Sequence, residues 1–185
     1  MNGKKTNFIT EVGIFASVGL VLDFLSGLFS PVIWAQGGSI SVAMIPIFIM
    51  GYRWGLKGGL LTGFVVGTTQ VIWSSYLINP VQVLLDYSLP YTLLGFVGIS
   101  ATMFKDSTFL KQTVIIFITV FITGMLRTTS HVISGVYYWD TTFWGSVIYN
   151  GGFMLPSVFI CIAILVLMLK KSPHLFFSPI EEEML

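Results

Sequence analysis

The sequence predicts an all-α fold, a polytopic membrane protein built as a bundle of six transmembrane helices. Composition is the first reason: 55% of the 185 residues are hydrophobic, 9% are charged and the mean hydropathy is +0.88. Soluble domains carry roughly a quarter charged residues. Length is the second, because a helical crossing takes about 20 apolar residues, which leaves room for about six or seven spans and no soluble catalytic domain. We therefore expect one membrane domain over residues 1–185.

Apolar runs separated by turn signals define the spans. We expect them at about residues 8–29, 39–52, 56–78, 80–103, 109–136 and 143–169. The loop after the first is SPVIWAQGG, which proline and paired glycines mark as irregular. The second span contains Pro46 and is barely long enough to cross unless that loop dips into the bundle.

Small residues mark where helices approach each other closely. The third span has a glycine-lined packing face, formed by Gly58, Gly59, Gly63 and Gly67. In the first span, Gly13 and Ser17 form a small-xxx-small pair, which favours either packing within the bundle or docking of another membrane protein. Asp23 of the same span is polar and must face protein.

The fourth span starts near Pro80 and carries PVQVLLDYSLPY. Gln82 and Asp86 lie on one helical face at i and i+4, with Tyr87 beside them. Pro90 lacks an N–H group and therefore frees a backbone carbonyl about one turn away. We expect these groups to line a polar site.

The fifth span places Arg127, His131 and Gly135 on one face at i, i+4 and i+8. An arginine near mid-bilayer costs about 2.5–3.5 kcal/mol, so it normally faces the bundle interior and has a partner. Asp86 is the expected partner. Such a pair either belongs to a ligand site or only locks two helices together.

The basic residues predict the topology. With a cytoplasmic N-terminus, every lysine and arginine except Arg127 falls on the cytoplasmic side of a six-span chain, as the positive-inside rule requires. These residues are Lys4, Lys5, Arg53, Lys57, Lys105, Lys111, Lys170 and Lys171. Both termini are therefore expected to be cytoplasmic.

The outer half combines charged, amide and aromatic side chains. The sixth span adds Tyr149 and Asn150 to the residues of the fourth and fifth. Trp139 lies about three helical turns after Arg127 and one turn after Gly135. Gln36 in the first loop either covers the site or lies at the interface. Aromatic faces attract cations by about 0.5–2 kcal/mol. This inventory suits the capture of a flat, partly charged organic molecule from outside, although Trp139 alone is also typical of an interfacial belt.

The sequence argues against several function classes. The scattered charges form no basic patch, so no nucleic-acid partner is expected. The lone Cys161 allows neither an intramolecular disulfide nor a metal site, and no cofactor or metal is predicted. The chain has no G-x-x-x-x-G-K-[ST] loop for ATP and no metalloprotease or nucleophile-elbow signature, which argues against an enzyme.

Four motifs resemble one known family. They are QGGSISVAMIPIFIMGYRWGLKGG, PVQVLLDY, the R-x-x-x-H-x-x-x-G-x-x-x-W series and YNGGFMLP. Together they are similar to the thiamine-specific S components of energy-coupling factor (ECF) vitamin transporters. The resemblance implies a six-helix bundle in the bacterial plasma membrane, with thiamine in an outward-facing cavity under the first loop. It also implies an ECF transmembrane coupling subunit and two ATPase subunits as partners, with the lipid bilayer as surroundings.

The resemblance also assigns residue roles. Asp86 and Tyr87 would contact the aminopyrimidine, and the ring residues of the fifth helix would stack near the thiazolium. The expected substrate-binding residues are Gln36, Gln82, Asp86, Tyr87, Arg127, His131, Trp139, Tyr149 and Asn150. Gly13 and Ser17 stand where the family docks onto the coupling subunit.

Three alternatives remain open. One is a stand-alone, proton-coupled thiamine carrier in which His131, Asp86 and Arg127 relay a proton. Another is an S component for a different vitamin. The third is an intramembrane enzyme, for which one histidine and one distant aspartate are a thin catalytic set.

Overall fold

The computed structural model describes residues 3–29, 38–74 and 77–178, and within these ranges the backbone is helical or irregular with no β-strand. We number its long helices α1 (Gly3–Phe29), α2 (Ile45–Thr69), α3 (Pro80–Lys105), α4 (Phe109–Tyr138) and α5 (Phe143–Lys171). Helices α3, α4 and α5 begin at residues 80, 109 and 143, where the spans were expected to begin. The all-α class is confirmed.

The outer surface of the bundle is apolar. Helices α1, α3, α4 and α5 are each long and apolar enough to cross a membrane. Large apolar side chains point away from the protein, including Ile72 (80% exposed), Leu110 (74%) and Ile148 (73%). Such a surface is unfavourable in water and natural in a lipid bilayer, where each backbone polar group must be satisfied within the protein. The chain is a multi-pass membrane protein.

Helix α2 consists of two segments joined at Gly55. This glycine has φ 70° and ψ −162°, a conformation that side-chain-bearing residues rarely adopt. It lies between the expected second and third spans. The boundaries differ from expectation at both ends, because the helix begins at Ile45 rather than residue 39 and a 3-10 turn, Gln70–Trp73, follows it where the third span was expected to reach residue 78. Pro46 sits in the first turn, where its missing N–H costs no helical hydrogen bond.

The segment 38–44 before α2 is irregular and packs against α5. The Ser41 N–H donates to Ser157 Oγ (3.0 Å), and the Gly38 N–H donates to the Tyr149 hydroxyl (3.1 Å). Irregular backbone is tolerated at membrane depth only where protein groups satisfy it. The chain therefore dips into the bundle, as expected for a second span too short to cross alone.

Glycines allow α2 and α3 to approach backbone to backbone. A Cβ atom at Gly59 would lie 2.5 Å from the Gly95 carbonyl oxygen, and Gly63 and Gly67 also abut the α3 backbone. The predicted glycine-lined face is confirmed at these three positions. Gly58 instead faces its own helix, because a Cβ there would meet groups of residues 50 and 54.

The end of the bundle away from Pro80 is held by Arg53. Its Nε and Nη2 donate to the two carboxylate oxygens of Glu11 at 2.5 and 2.8 Å. Its Nη1 donates to the backbone carbonyls of His174 (2.9 Å) and Phe177. We call Glu11, Arg53 and these two carbonyls the clasp. It ties α1 and α2 to the segment that follows α5.

Candidate ligand-binding site

Asp86 lies at the centre of a polar cluster between α3 and α4. Its Oδ2 accepts hydrogen bonds from Gln82 Nε2 (2.6 Å) and Trp139 Nε1 (3.2 Å). Its Oδ1 lies 3.5 Å from His131 Nδ1, and the two side chains are 14% and 15% exposed. The structure therefore brings three of the expected site residues around the nearly buried carboxylate of a fourth.

The start of α3 positions Gln82 and Asp86. Asn79 caps the helix, since its side-chain oxygen accepts from the N–H groups of Val81 (2.9 Å) and Gln82 (3.0 Å). Pro80 occupies the first turn, where proline is favoured. Gln82 is fully buried, and its Oε1 accepts from the Ile78 N–H at 3.1 Å. Because this oxygen is engaged, the amide is oriented with its nitrogen towards Asp86.

A π-helical turn, Leu84–Ser88, carries Asp86 and Tyr87. In the i→i+5 pattern Leu85 O would pair with the nitrogen of Pro90, which has no hydrogen. Ser130 Oγ donates to this carbonyl instead, at 2.7 Å. The predicted free carbonyl is thus confirmed, and it joins α3 to α4 beside the cluster.

Arg127 is not the partner of Asp86, so that prediction was wrong. Its guanidinium carbon lies 3.8 Å from the centroid of the Tyr91 ring. The Tyr91 hydroxyl donates to Asp23 Oδ1 of α1 at 2.8 Å. Among the described residues, the carboxylate linked to Arg127 is therefore Asp23, through the tyrosine, and Asp86 pairs with His131.

The depth of each residue along its helix explains why Asp86 pairs with His131 instead of Arg127. Counted from the helix ends at residues 80 and 138, Asp86 lies about 9 Å deep and His131 about 10 Å deep, at 1.5 Å per residue. By the same count, Tyr91 and Arg127 both lie about 16 Å deep. The polar residues thus form two layers: an upper layer around Asp86, and a lower layer containing Tyr91 and Arg127.

Helix α5 closes a third side. Ser146 Oγ donates to the Val132 carbonyl (3.1 Å) and approaches Gly135, where a side chain would collide with it. The buried Asn150 Nδ2 donates within α5 to the Ser146 carbonyl (2.9 Å) and to Ser146 Oγ (3.2 Å), the same hydroxyl that donates to Val132 of α4. Tyr149 contacts Gly38, as described above. Asn150 is therefore linked through the Ser146 hydroxyl to the α4 backbone, one residue from His131.

The remaining expected residues have different outcomes. Tyr87 hydrogen-bonds through its hydroxyl to Ser74, which joins the π turn to the end of α2. Gln36 lies outside the described residues. Gly13 is exposed with open space around it, and Ser17, also exposed, donates to its carbonyl at 2.8 Å. Both face away from the bundle, which favours the docking interpretation over internal packing.

Some polar atoms of the two layers are buried without a hydrogen-bond partner in the described part of the chain. They include His131 Nε2, Arg127 Nε and Arg127 Nη1. Buried polar groups are normally satisfied, so such atoms suit a ligand with donors and acceptors of its own. In the same ranges no group of three or more His, Cys, Asp or Glu side chains could hold a metal ion. The arrangement fits an organic cation with polar ring atoms.

Known proteins share both sequence and fold with this chain. A family model described as "Thiamine transporter protein" matches residues 9–177. The thiamine transporter ThiT of Bacillus subtilis is 36% identical over 187 residues, covering 95% of this chain and 96% of the relative. ThiT of Lacticaseibacillus paracasei is 27% identical over 188 residues, covering 94% of this chain and 92% of the relative.

A solved structure is similar as well. ThiT from Listeria monocytogenes matches with a TM-score of 0.82 and 26% identity, covering 95% of this chain and 100% of that chain. The match extends over the helices that carry the Asp86 cluster. Sequence, fold and length agree, and the chain belongs to the thiamine transporter protein family.

Proposed function

We propose that this chain is the thiamine-binding S component of an ECF-type vitamin transporter. The observation that carries the proposal is the Asp86 cluster, in which a carboxylate is held between an amide, an imidazole and an indole. Thiamine has a permanently charged thiazolium and a neutral aminopyrimidine. The first favours an aromatic face and a nearby carboxylate, and the second needs paired donors and acceptors.

The residues divide between the two rings of thiamine. Asp86, with Gln82 and Tyr87 on the same stretch of α3, recognises the aminopyrimidine. Trp139 and His131 present their rings to the thiazolium, and Arg127 lies one layer deeper. Tyr149 and Asn150 on α5 orient the ligand from the third side, and Gln36 completes the site from the first loop.

The bundle is proposed to cross the bacterial plasma membrane six times, with both termini in the cytoplasm. The two α2 segments would supply the second and third crossings, which meet at Gly55. The clasp supports this topology because Arg53 lies beside the segment after α5, and Lys105 Nζ donates to the Arg53 carbonyl at 3.1 Å. Basic residues from separate parts of the chain therefore gather at one end, as the positive-inside rule expects of the cytoplasmic side.

ATP-driven uptake requires other subunits. We propose that α1 docks onto an ECF transmembrane coupling subunit through Gly13 and Ser17, and that two ATPase subunits drive the reorientation. The exposed face of α1 supports this role, since Val18 and Val21 are 46% and 58% exposed beside the small pair. Small residues allow a partner helix to approach closely.

Tryptophan fluorescence of the purified chain tests the ligand. Thiamine should quench it saturably because the Trp139 indole lies at the site, whereas riboflavin should bind much more weakly. A stronger response to riboflavin would instead indicate an S component for another vitamin. Failure of both to bind would refute the proposed ligand class.

A proton-coupled carrier is the second candidate, because Asp86 and His131 lie 3.5 Å apart in the site. Uptake of labelled thiamine separates the two. The S component binds without transporting in cells that lack the coupling subunits, whereas a carrier accumulates thiamine there in a manner that depends on the proton gradient.

A further inference from the structure

Within the described ranges, Arg127 is held by an aromatic ring and forms no ion pair with a carboxylate. Arg127 is 7% exposed, and its guanidinium lies over the ring of Tyr91, which is 2% exposed. Its Nε and Nη1 have no hydrogen-bond partner among the residues that the structure describes. The flat face of Tyr91 is therefore the surface against which the guanidinium plane is held, a favourable arrangement for a desolvated cation.

Tyr91 is itself anchored to α1. Its hydroxyl donates to Asp23 Oδ1 at 2.8 Å, across 68 residues of sequence. A buried tyrosine hydroxyl needs such an acceptor, because an unsatisfied polar group is costly away from water. The bond fixes the ring, and hence the position of the guanidinium above it.

We propose that Asp23 and Tyr91 are positioning residues for the candidate ligand site, which act by holding Arg127 one helical turn below His131. This inference rests on the proposed thiamine-binding function. Arg127 and His131 are neighbours on one face of α4, so the location of the guanidinium determines the charge and space beneath the imidazole that contacts Asp86. An arginine released from Tyr91 would regain many rotamers and disturb this layer.

The inference also gives α1 a part in ligand binding. No contact between Asp86 and α1 occurs among the described hydrogen bonds and ion pairs, yet Asp23 reaches the lower layer through one tyrosine. The same helix carries Gly13 and Ser17 on its exposed side. A partly buried hydrogen bond thereby joins the proposed docking helix to the ligand site.

A double-mutant cycle with Asp23→Ala, Tyr91→Phe and the double variant tests the inference. Thiamine affinity is measured by fluorescence quenching of each purified full-length chain. We expect each single variant to weaken binding about tenfold, and the double variant to weaken it by about the same factor, because all three break one bond. Phenylalanine keeps the ring beneath Arg127, so Tyr91→Phe isolates the loss of the hydroxyl.

Tyr52→Phe is the matched control. Tyr52 is fully buried and its hydroxyl hydrogen-bonds Thr119 Oγ1 at 2.7 Å, without a link to Arg127. Both tyrosine variants should lower the thermal unfolding temperature, but only Tyr91→Phe should weaken thiamine binding. Equal losses of affinity in the two would mean general loosening and would overturn the inference.

The remaining outcomes separate this inference from the proposed function. Single variants that bind within about twofold of the unmodified chain, or a double variant about a hundredfold weaker, would refute the shared role. Thiamine binding by the unmodified chain tests the proposed function. The comparison of the variants with that chain tests the positioning role, so the two failures give different results.

Discussion

Replacing Asp86 is the most direct perturbation of the candidate site. Asp86→Ala removes the acceptor of Gln82 Nε2 and Trp139 Nε1 and leaves His131 Nδ1 without its carboxylate. Hydrogen bonds to charged groups contribute about 1.5–3 kcal/mol each, so losing one ligand contact should cost roughly 2 kcal/mol. This corresponds to about a 30-fold increase in the Kd for thiamine, since 1.4 kcal/mol is a factor of ten.

Asp86→Asn separates charge from hydrogen bonding. Asparagine keeps one acceptor oxygen for Gln82 or Trp139 but lacks the negative charge that, from its place beside the aminopyrimidine, also attracts the nearby thiazolium. Thiamine should therefore bind more weakly to this variant, while an uncharged analogue with the same ring shapes should lose less affinity. The assay is fluorescence titration of the purified chain with both ligands.

Asp106→Ala is the control for both variants, because Asp106 is exposed in the turn after α3, away from the site. Its affinity should match that of the unmodified chain, and thermal unfolding without ligand should verify that each variant folds. Thiamine binding by Asp86→Ala within about twofold of the unmodified chain would show that the carboxylate is not in the site. Equal losses for both ligands with Asp86→Asn would refute the role of its charge.

Three further predictions concern the ring, the docking surface and the packing of α2. Trp139→Ala should weaken thiamine more than an uncharged analogue in paired titrations, because only the cation gains from the aromatic face, and equal losses would contradict stacking. Gly13→Trp should leave thiamine binding intact and abolish uptake in cells that contain the coupling subunits, since the space around Gly13 is open; retained uptake would remove the docking surface. Gly59→Ala should lower the thermal unfolding temperature, because its Cβ would lie 2.5 Å from the Gly95 carbonyl, whereas Gly27→Ala, with nothing within 4 Å, should leave it unchanged or raise it. A Gly59→Ala chain as stable as the unmodified one would refute the close packing of α2 and α3.

Much of the helical layout was predictable because local chemistry sets it. Pro80 begins α3, and the polar stretches KDST and DTT interrupt the apolar runs before α4 and α5, so the starts of these three helices follow from the sequence. The glycine face of α2 was also predictable, because glycines three to four residues apart have few other uses in a membrane helix. The exact conformation of Gly55 was not, since its positive φ depends on how the two segments of α2 turn.

Contacts between distant segments were harder to foresee. The clasp joins Glu11 to Arg53 across 42 residues, and the sequence around each of these residues does not indicate the other as its partner. A glutamate in the first apolar span was the available signal, because an isolated charge in a membrane needs a partner. For Asp86 the fifth span offers two candidate partners, Arg127 and His131, and the predicted partner is Arg127, which lies deeper in the membrane. Counting residues inward from the expected span ends at 80 and 136 places Asp86 nearer in depth to His131 than to Arg127, so the sequence contained the signal for the observed pair.

The pairing of Asp86 with His131 instead of Arg127 affects how the site can bind a cation. An arginine beside Asp86 would stay charged, and at about 4 Å its attraction to the carboxylate would approach ~4 kcal/mol at an effective dielectric constant near 20. The carboxylate would then be neutralised and would attract a nearby thiazolium much less. Histidine changes charge near neutral pH, so a neutral imidazole can orient Asp86 without cancelling its charge. By placing Arg127 on Tyr91 in the lower layer, the fold keeps a permanent cation away from the carboxylate. The negative charge of Asp86 then remains for the ligand, which is the physical reason that a site for a cation can contain a buried arginine.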